Sequence, residues 1–270
     1  MSEIDRYTRP QPAAPAASQA AAVEQSRAVA EVQAAVVVAQ QVPRDIRRAE
    51  AEMRDTCGRT AVAERAFYSV PNRGSGPSVH LARELARIYG NVQYGVHELR
   101  RDDDAGESEI IAYAWDVQAN VRSSRTFIVP HARMAGKQRR QLTDLGDVYL
   151  NNQNVGARAV RECIFTVLPD WYIEAAKEQC HKTLQEGDGK PLAERIAGMV
   201  AAFRGVEVTE AMLAAKLGKK RGQWDAGDVA AMTVVYTSIQ RKETTVADEF
   251  AADPVGLDEL VDPATGEVVA

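Results

Sequence analysis

The sequence contains few cysteines, and this scarcity excludes a scaffold held by several disulfide bonds and one held by a zinc ion between CxxC pairs. The 270 residues include only three cysteines: Cys57, Cys163 and Cys180. Three cysteines cannot all pair, and no two have the CxxC spacing of a structural zinc site. Cys180 adjoins His181, but companion ligands are missing nearby. We therefore predict reduced thiols that serve as small apolar side chains in a cytoplasmic protein, with no metal site.

Long hydrophobic runs are also missing. No apolar stretch approaches the roughly 18 to 20 residues that a transmembrane helix needs. Residues 1–10 lack the basic region followed by an apolar region that marks a secretory signal. With 45% hydrophobic and 26% charged residues, the composition is typical of a globular protein. We expect no contact with a membrane.

The familiar catalytic signatures do not occur. The chain has no GxSxG, no HExxH and no lysine-containing phosphate loop, and its four histidines fall on different predicted elements. Asp102, Asp103 and Asp104 resemble a metal-binding cluster, but a hairpin turn beside arginines explains them better. The glycine-rich stretch 71–78 either holds a phosphate on its backbone N–H groups or is an ordinary turn. We predict neither enzyme activity nor a cofactor.

What the chain does contain is segregated charge. Its net charge is −5, yet the stretch 122–161 carries eight basic residues and only two acids, a local charge of +6. A positive surface on an acidic protein indicates a polyanionic partner, most often nucleic acid. The alternative is a solvated basic face without a ligand. The predicted DNA-binding residues are Arg122, Arg125, Arg133, Lys137, Arg139, Arg140, Asn154, Arg158 and Arg161.

Hydrophobic alternation predicts the central fold. Three strands are expected at 92–99, 109–121 and 125–131, joined by a polar hairpin loop and a tight turn. Short connections make these strands an antiparallel meander, and the flanking helices would cover one of its faces. The predicted class is α+β, a three-stranded meander packed with helices and followed by a small C-terminal helical bundle. A basic loop at 134–141 is expected to follow the third strand.

Two helices flank the predicted meander. Residues 79–89 form an amphipathic helix with Ser78 as its N-cap. Residues 152–167 form another, whose apolar stripe packs on the sheet while Asn154, Arg158 and Arg161 share a neighbouring face. Glu162 lies four residues after Arg158 and is one candidate acidic partner, the only acid near the two arginines on this helix. We expect the strand aromatics Tyr113, Trp115 and Phe127 to form core, so the arginines indicate nucleic-acid binding more strongly than the aromatics do.

Composition also predicts how the chain is divided. Residues 1–22 are an Ala/Pro/Gln-rich arm that we expect to be disordered, and 23–186 form the α+β core with its N-terminal helices. Residues 187–245 form a helical module with three helices and a second basic cluster near Lys219. Residues 246–270 carry seven acids and no lysine or arginine, and we expect a solvated acidic tail.

Several motifs resemble those of phage and prophage single-strand annealing proteins, distantly similar to the RecT and lambda Red beta group. The resemblance covers roughly residues 60–185 and is strongest where a meander is followed by a helix with two arginines. Residues 203–209, 217–218 and 224–229 resemble the small helical module that ends several such proteins. The motifs of the core are Gly76-Pro-Ser-Val-His-Leu-Ala, Ala112-Tyr-Ala-Trp-Asp, Thr126-Phe-Ile-Val-Pro-His-Ala-Arg and Asn154-Val-Gly-Ala-Arg-Ala-Val-Arg-Glu-Cys-Ile.

The resemblance implies that a homo-oligomer binds single-stranded DNA and anneals complementary strands without ATP. It also implies cooperation with a phage exonuclease and the host single-strand binding protein through residues 187–245. It implies a location in the cytoplasm of a bacterial host. Two alternatives remain open: a metal-dependent DNA nuclease, and a phage structural or scaffolding protein that uses the Ala/Gln arm for assembly.

Overall fold

The computed structural model of the protein describes residues 19–71, 74–135 and 138–250. Over these ranges the fold is α+β, with ten α-helices and three small antiparallel sheets. None of the helices in these ranges combines the length and the apolar character that crossing a lipid bilayer requires. The chain divides into two units, residues 1–43 and residues 44–270. In the first unit the structure describes one helix, α1 (Gln19–Gln41). It begins four residues before residue 23, where the core with its N-terminal helices was predicted to start.

The second unit begins with helices and a short hairpin. Ser78 caps α4 as predicted, because its hydroxyl accepts a hydrogen bond from the Leu81 N–H at 3.3 Å. The glycine-rich stretch 71–78 contains a strand where the sequence predicted a loop, and Ser78 N–H donates to the Ala66 carbonyl. A backbone phosphate contact in this stretch, which was the alternative to an ordinary turn, would therefore lack one of the free N–H groups that bind phosphate. These elements are α2 (Ile46–Cys57), α3 (Thr60–Ala63), β1 (Phe67–Val70), β2 (Gly74–Pro77) and α4 (Val79–Tyr89).

The predicted antiparallel meander is confirmed. Its strands lie in the order β3-β4-β5, and every pairing is antiparallel. The second connection is tight because the Asp116 carboxylate accepts hydrogen bonds from the N–H groups of Gln118 and Ala119. The strands are β3 (Val92–Asp102), β4 (Glu107–Asp116) and β5 (Val121–Pro130).

The prediction that residues 134–141 form a basic loop is wrong in its conformation. Strands β6 (Ala132–Ala135) and β7 (Gln138–Gln141) form an antiparallel hairpin there. His131 supports the base of this hairpin, since its N–H donates to the Gly106 carbonyl and its carbonyl accepts from the Leu142 N–H. The first bond joins the hairpin to the turn between β3 and β4, and the second closes the base of the hairpin. Arginine-rich residues give little strand signal, which explains why the pattern missed it.

Helix α5 (Leu145–Val167) covers one face of the meander and is followed by α6 (Asp170–Glu186). It begins seven residues before the predicted start, because Asp144 caps it by accepting the Asp147 N–H at 3.0 Å. The predicted stripe is buried at Val160, Ile164 and Val167. The thiol of Cys163 reaches the Ala112 carbonyl on β4. All three cysteines are buried and free, so their predicted use as apolar side chains is confirmed.

The C-terminal helices share a second hydrophobic cluster. Phe203, Leu213, Trp224, Met232 and Phe250 are all buried there. Thr209 and Asp225 are N-caps of α8 and α9, because their side-chain oxygens accept hydrogen bonds from the N–H groups of Met212 and Asp228. Helix α9 also packs on α6 and β1. The helices are α7 (Leu192–Arg204), α8 (Glu210–Leu217), α9 (Ala226–Gln240) and α10 (Val246–Glu249).

A buried ion pair joins the first residue of the second unit to the end of β4. The Arg44 side chain is 7% exposed and the Asp116 side chain 3% exposed, and two guanidinium nitrogens contact the two carboxylate oxygens. The guanidinium also lies 4.0 Å from the centre of the Tyr89 ring. Because Asp116 holds the following turn as well, this pair links α2, α4 and the meander.

We predict that Asp116→Ala lowers the free energy of unfolding by about 3 kcal/mol, because it leaves a buried guanidinium without its counter-charge. Urea denaturation measures the change. The matched control is Asp55→Ala, whose partner Arg59 lies at the surface, with both side chains more than 65% exposed. There we expect a change below about 1 kcal/mol. Equal effects at the two sites would contradict the importance of the buried pair.

The pKa of His181 provides a second prediction. Burial, assisted by Lys177, lowers this pKa below its ordinary value of 6.5, and the ring stacks on Phe67. The unfolded chain then binds a proton more readily, so stability is full above pH 6.5 and falls as the pH drops below it. His181→Phe keeps the stack and removes the titration. Thermal denaturation from about pH 7.5 to about pH 5 should show a shallower decline in the variant. Identical declines would count against this origin of acid sensitivity.

Candidate nucleic-acid interface

The β6–β7 hairpin concentrates the basic residues most closely. Arg133 and Arg140 stand directly opposite one another in its register, and Arg139 stands opposite Met134. All three arginines are exposed, and residues 131–141 contain no acid. Like charges directly opposite each other in a hairpin destabilise it unless an anion lies nearby. Among the described residues no carboxylate forms an ion pair with these arginines, so the hairpin is an exposed, positively charged surface.

Strand β5 places two further predicted arginines on different faces. Arg122 pairs with Trp115, on the sheet face opposite α5, and Arg125 pairs with Ala112, on the face toward α5. Both side chains are exposed, and neither forms an ion pair with a described residue. Lys137, another predicted contact, lies outside the residues that the structure describes. The predicted set therefore continues from the hairpin onto β5 without forming a single flat patch.

On α5 the predicted residues lie away from the sheet. Gly156 contacts the sheet so closely that a Cβ there would meet Val96 Cγ1 at 2.8 Å. Arg158 follows two residues later, or about 200° around the helix, and so points away from the meander. Asn154 precedes Gly156 by the same interval and is also exposed. Arg158 and Arg122 consequently lie on opposite surfaces of the core.

Arg161 differs from the other predicted arginines because it has partners. It pairs with Glu162 at 2.8 Å, and its guanidinium lies 4.7 Å from the centre of the Tyr68 ring. Of the two arginines for which Glu162 was a candidate partner, Arg161 forms the ion pair. Arg158 has no ion-pair partner in the described part of the chain. The two arginines thus have different roles: Arg161 helps hold β1 against α5, and Arg158 remains available.

The second basic cluster, near Lys219, is largely neutralised by the fold. Lys216 pairs with Glu249, and Lys219 with Asp225 and Asp228. Arg221 also pairs, with Glu210 at 2.7 Å. Clusters that look alike in the sequence are therefore different surfaces. The C-terminal cluster has its anions within the protein, whereas the hairpin has none among its described neighbours.

Two of the strand aromatics that sequence reasoning placed in the core lie instead on the sheet face opposite α5. Tyr113 and Trp115 are partly exposed there, while the alternating residues Ile110, Ala112 and Ala114 are buried under α5. The expectation that Tyr113 and Trp115 form core is wrong, although Phe127 does pack against it. The available signal was size, since small residues at 112 and 114 allow a helix to approach closely.

A serine, a histidine and an aspartate meet at the base of the hairpin. Ser108 Oγ lies 2.9 Å from His131 Nε2, and Asp103 Oδ1 lies 3.8 Å from His131 Nδ1. This order resembles that of a hydrolase triad. However, Ser108 is fully buried and His131 is 3% exposed, so no substrate can reach the hydroxyl. The contact fixes the ends of β4 and β5 to each other.

The aspartates at 102–104 have the turn role that the sequence predicted. Asp102 accepts the Ala105 N–H at 2.9 Å and pairs with Arg100. Asp103 pairs with Arg101 at 2.8 Å. Across the described ranges, no group of three or more His, Cys, Asp or Glu side chains is placed to hold a metal ion.

The different surroundings of Arg161 and Arg158 give a stability prediction. Arg161→Ala should lower the free energy of unfolding by about 1 kcal/mol, because it removes the ion pair and the cation–π contact with Tyr68. Arg158→Ala is the matched control on the same helix and should change stability by less than about 0.5 kcal/mol. Guanidinium denaturation of both variants checks this. The reverse order would mean that Arg158 has a structural partner.

Comparisons with protein-family models, with curated proteins and with solved structures return no match. The function is therefore inferred from the sequence and the geometry of this chain.

Proposed function

We propose that this protein binds single-stranded DNA and anneals complementary strands without ATP, acting as a homo-oligomer. One observation carries the proposal: the β6–β7 hairpin presents Arg133 opposite Arg140 with no acid in residues 131–141. Guanidinium groups bind phosphate through charge-assisted, bidentate hydrogen bonds. A row of phosphates would relieve the repulsion that this pairing creates.

The distribution of paired and unpaired charge supports a local polyanion site. The chain as a whole is acidic, at −5, so attraction to DNA must come from a confined surface. Arg122 and Arg125 on β5 are exposed and would add positive charge beyond the hairpin, whereas Arg158, also exposed, lies on the surface opposite Arg122. The basic residues of the C-terminal cluster form ion pairs within the protein, so this cluster would contribute little to DNA binding. DNA contacts would then centre on the hairpin and β5.

The annealing activity and the partners rest on the resemblance to the RecT and lambda Red beta group. The meander followed by α5 is the arrangement expected of such a core, and residues 187–245 would be its partner-binding module. The separate hydrophobic cluster of α7 to α9 supports a module with its own surface. We propose that this module contacts a phage exonuclease and the host single-strand binding protein, in the bacterial cytoplasm.

The hairpin variant Arg133→Gln/Arg140→Gln tests the proposal. Each lost phosphate contact reduces the slope of log affinity against log salt by about 0.7 on single strands. We therefore expect the slope to fall by about 1.4 and the annealing rate to fall with it. Fluorescence anisotropy with a labelled oligonucleotide measures the slope, and mixing two labelled complementary strands without ATP measures annealing. The control Lys190→Gln/Arg204→Gln removes two exposed charges, one just before α7 and one at its end, and should change neither.

Three outcomes would oppose the proposal. Equal slopes for the hairpin variant and the control would remove the hairpin from the interface. Magnesium-dependent cleavage of the strands would favour a nuclease. Large assemblies that bind no oligonucleotide would favour a scaffolding protein.

A further inference from the structure

The sheet face opposite α5 is chemically divided along its length. One end carries Glu107 and Glu109, with Arg100 pairing toward Glu107. The other end carries no carboxylate on the described strands; its residues are Gln93, Gly95, His97, Ile111, Tyr113, Trp115, Arg122 and Ser124. Helix α5 packs on the opposite face of this sheet, and α4 contacts β3. The carboxylate-free end is therefore a partly exposed surface compatible with an anionic ligand.

Four side chains on this end form what we call the aromatic platform: His97, Tyr113, Trp115 and Arg122. The rings of His97 and Tyr113 are nearly parallel, with centroids 5.3 Å apart and an interplanar angle of 8°. The Arg122 guanidinium lies 5.9 Å from the centre of the Tyr113 ring. Trp115 donates its indole N–H to Asn120 Oδ1 at 3.3 Å, which orients the ring.

Gly95 explains how the Tyr113 ring is held. This glycine is paired with Tyr113 across the ladder, and a Cβ at residue 95 would lie 3.0 Å from Tyr113 Cε1. The ring therefore lies over the backbone of β3, in a space that a larger residue would occupy. A ring held flat in this way loses little conformational freedom when a second flat group binds on it.

We propose that the aromatic platform stacks bases of the single-stranded DNA, so that this face of the meander is where the strand's bases lie. This inference rests on the proposed function, because the hairpin would supply the phosphate contacts. Aromatic side chains interleaved with unpaired cations are the arrangement that binds single strands independently of sequence. The absence of carboxylates among the described residues at this end favours an anionic chain over a basic protein partner.

Stacking on an open sheet also suits annealing. A base that stacks uses its π-face and leaves its hydrogen-bonding edge unoccupied. A flat, open platform would therefore hold bases apart from one another while a complementary strand pairs with their edges. A closed pocket that recognised the edges would prevent this pairing.

The deciding experiment compares a normal oligodeoxynucleotide with one of equal length in which abasic sites replace the bases. The wild-type protein should bind the abasic strand about tenfold more weakly, because stacking is lost while the phosphates remain. Tyr113→Thr/Trp115→Thr should bind both strands with similar, weak affinity. Tyr149→Ala, which removes an exposed aromatic ring from α5, is the control and should behave as the wild type. Tyr113→Phe/Trp115→Phe keeps the rings and should retain the preference for bases.

The outcomes separate this inference from the proposed function. Equal wild-type affinity for both strands, with the salt dependence intact, would overturn the platform and leave the phosphate contacts standing. Failure of the wild type to bind any strand would overturn both. Loss of the base preference in the Phe variant, with a circular-dichroism melting curve like that of the wild type, would also overturn the platform.

Tryptophan fluorescence gives an independent readout of location. Trp224 is buried, whereas Trp171 is exposed and lies on α6. If bases stack on the platform, an oligonucleotide should quench the fluorescence of Trp171→Phe as in the wild type. It should quench that of Trp115→Phe much less, although Phe at this position still binds. Quenching that disappears with Trp171→Phe instead would overturn the proposal.

Discussion

The close packing of α5 on the meander is the contact on which the rest of the structure depends. Gly156 brings the helix against Val96, and the small side chains of Ala112 and Ala114 leave room for it. Any side chain at 156 would collide with the side chain of Val96 on β3. Because α5 can approach only the face with small residues, the larger side chains of β4 are left on the other face. The same contact turns Arg158 away from the sheet.

Ion pairing within the protein then decides which charges are available for a ligand. Arg44 is held by Asp116, which is distant in the chain, and Arg161 is held by its neighbour Glu162 and by the Tyr68 ring on β1. Lys219 is similarly held by two aspartates at the start of α9. The hairpin arginines have no such partners among the described residues. A count of basic residues does not distinguish these situations, since the difference lies in which carboxylate the fold brings near.

Helices and strands were predicted well from hydrophobic periodicity and capping residues. The helix at 79–89 was predicted with its N-cap Ser78, and the meander strands were predicted within a few residues, because alternation and caps are properties of neighbouring residues. The β6–β7 hairpin was missed because its arginines carry no hydrophobic period. The start of α5 was missed because residues 145–151 include Leu145, Tyr149 and Leu150, all exposed, which obscure the buried stripe. The role of Tyr113 was misjudged for a related reason: alternation shows that one face of a strand differs from the other but does not show which face a helix will cover.

The sequence by itself therefore determined the α+β class, the antiparallel meander, the caps and the excess of positive charge between residues 122 and 161. Each of these depends on residues close in the chain, whose spacing sets what they can contact. Tertiary structure alone decided which face of β4 is covered, which arginines are paired, and that Arg122 and Arg158 lie on opposite surfaces. These depend on contacts between distant segments, where the fit of Gly156 to Val96 and the pairing of Arg44 with Asp116 select one arrangement among several that the pattern allows.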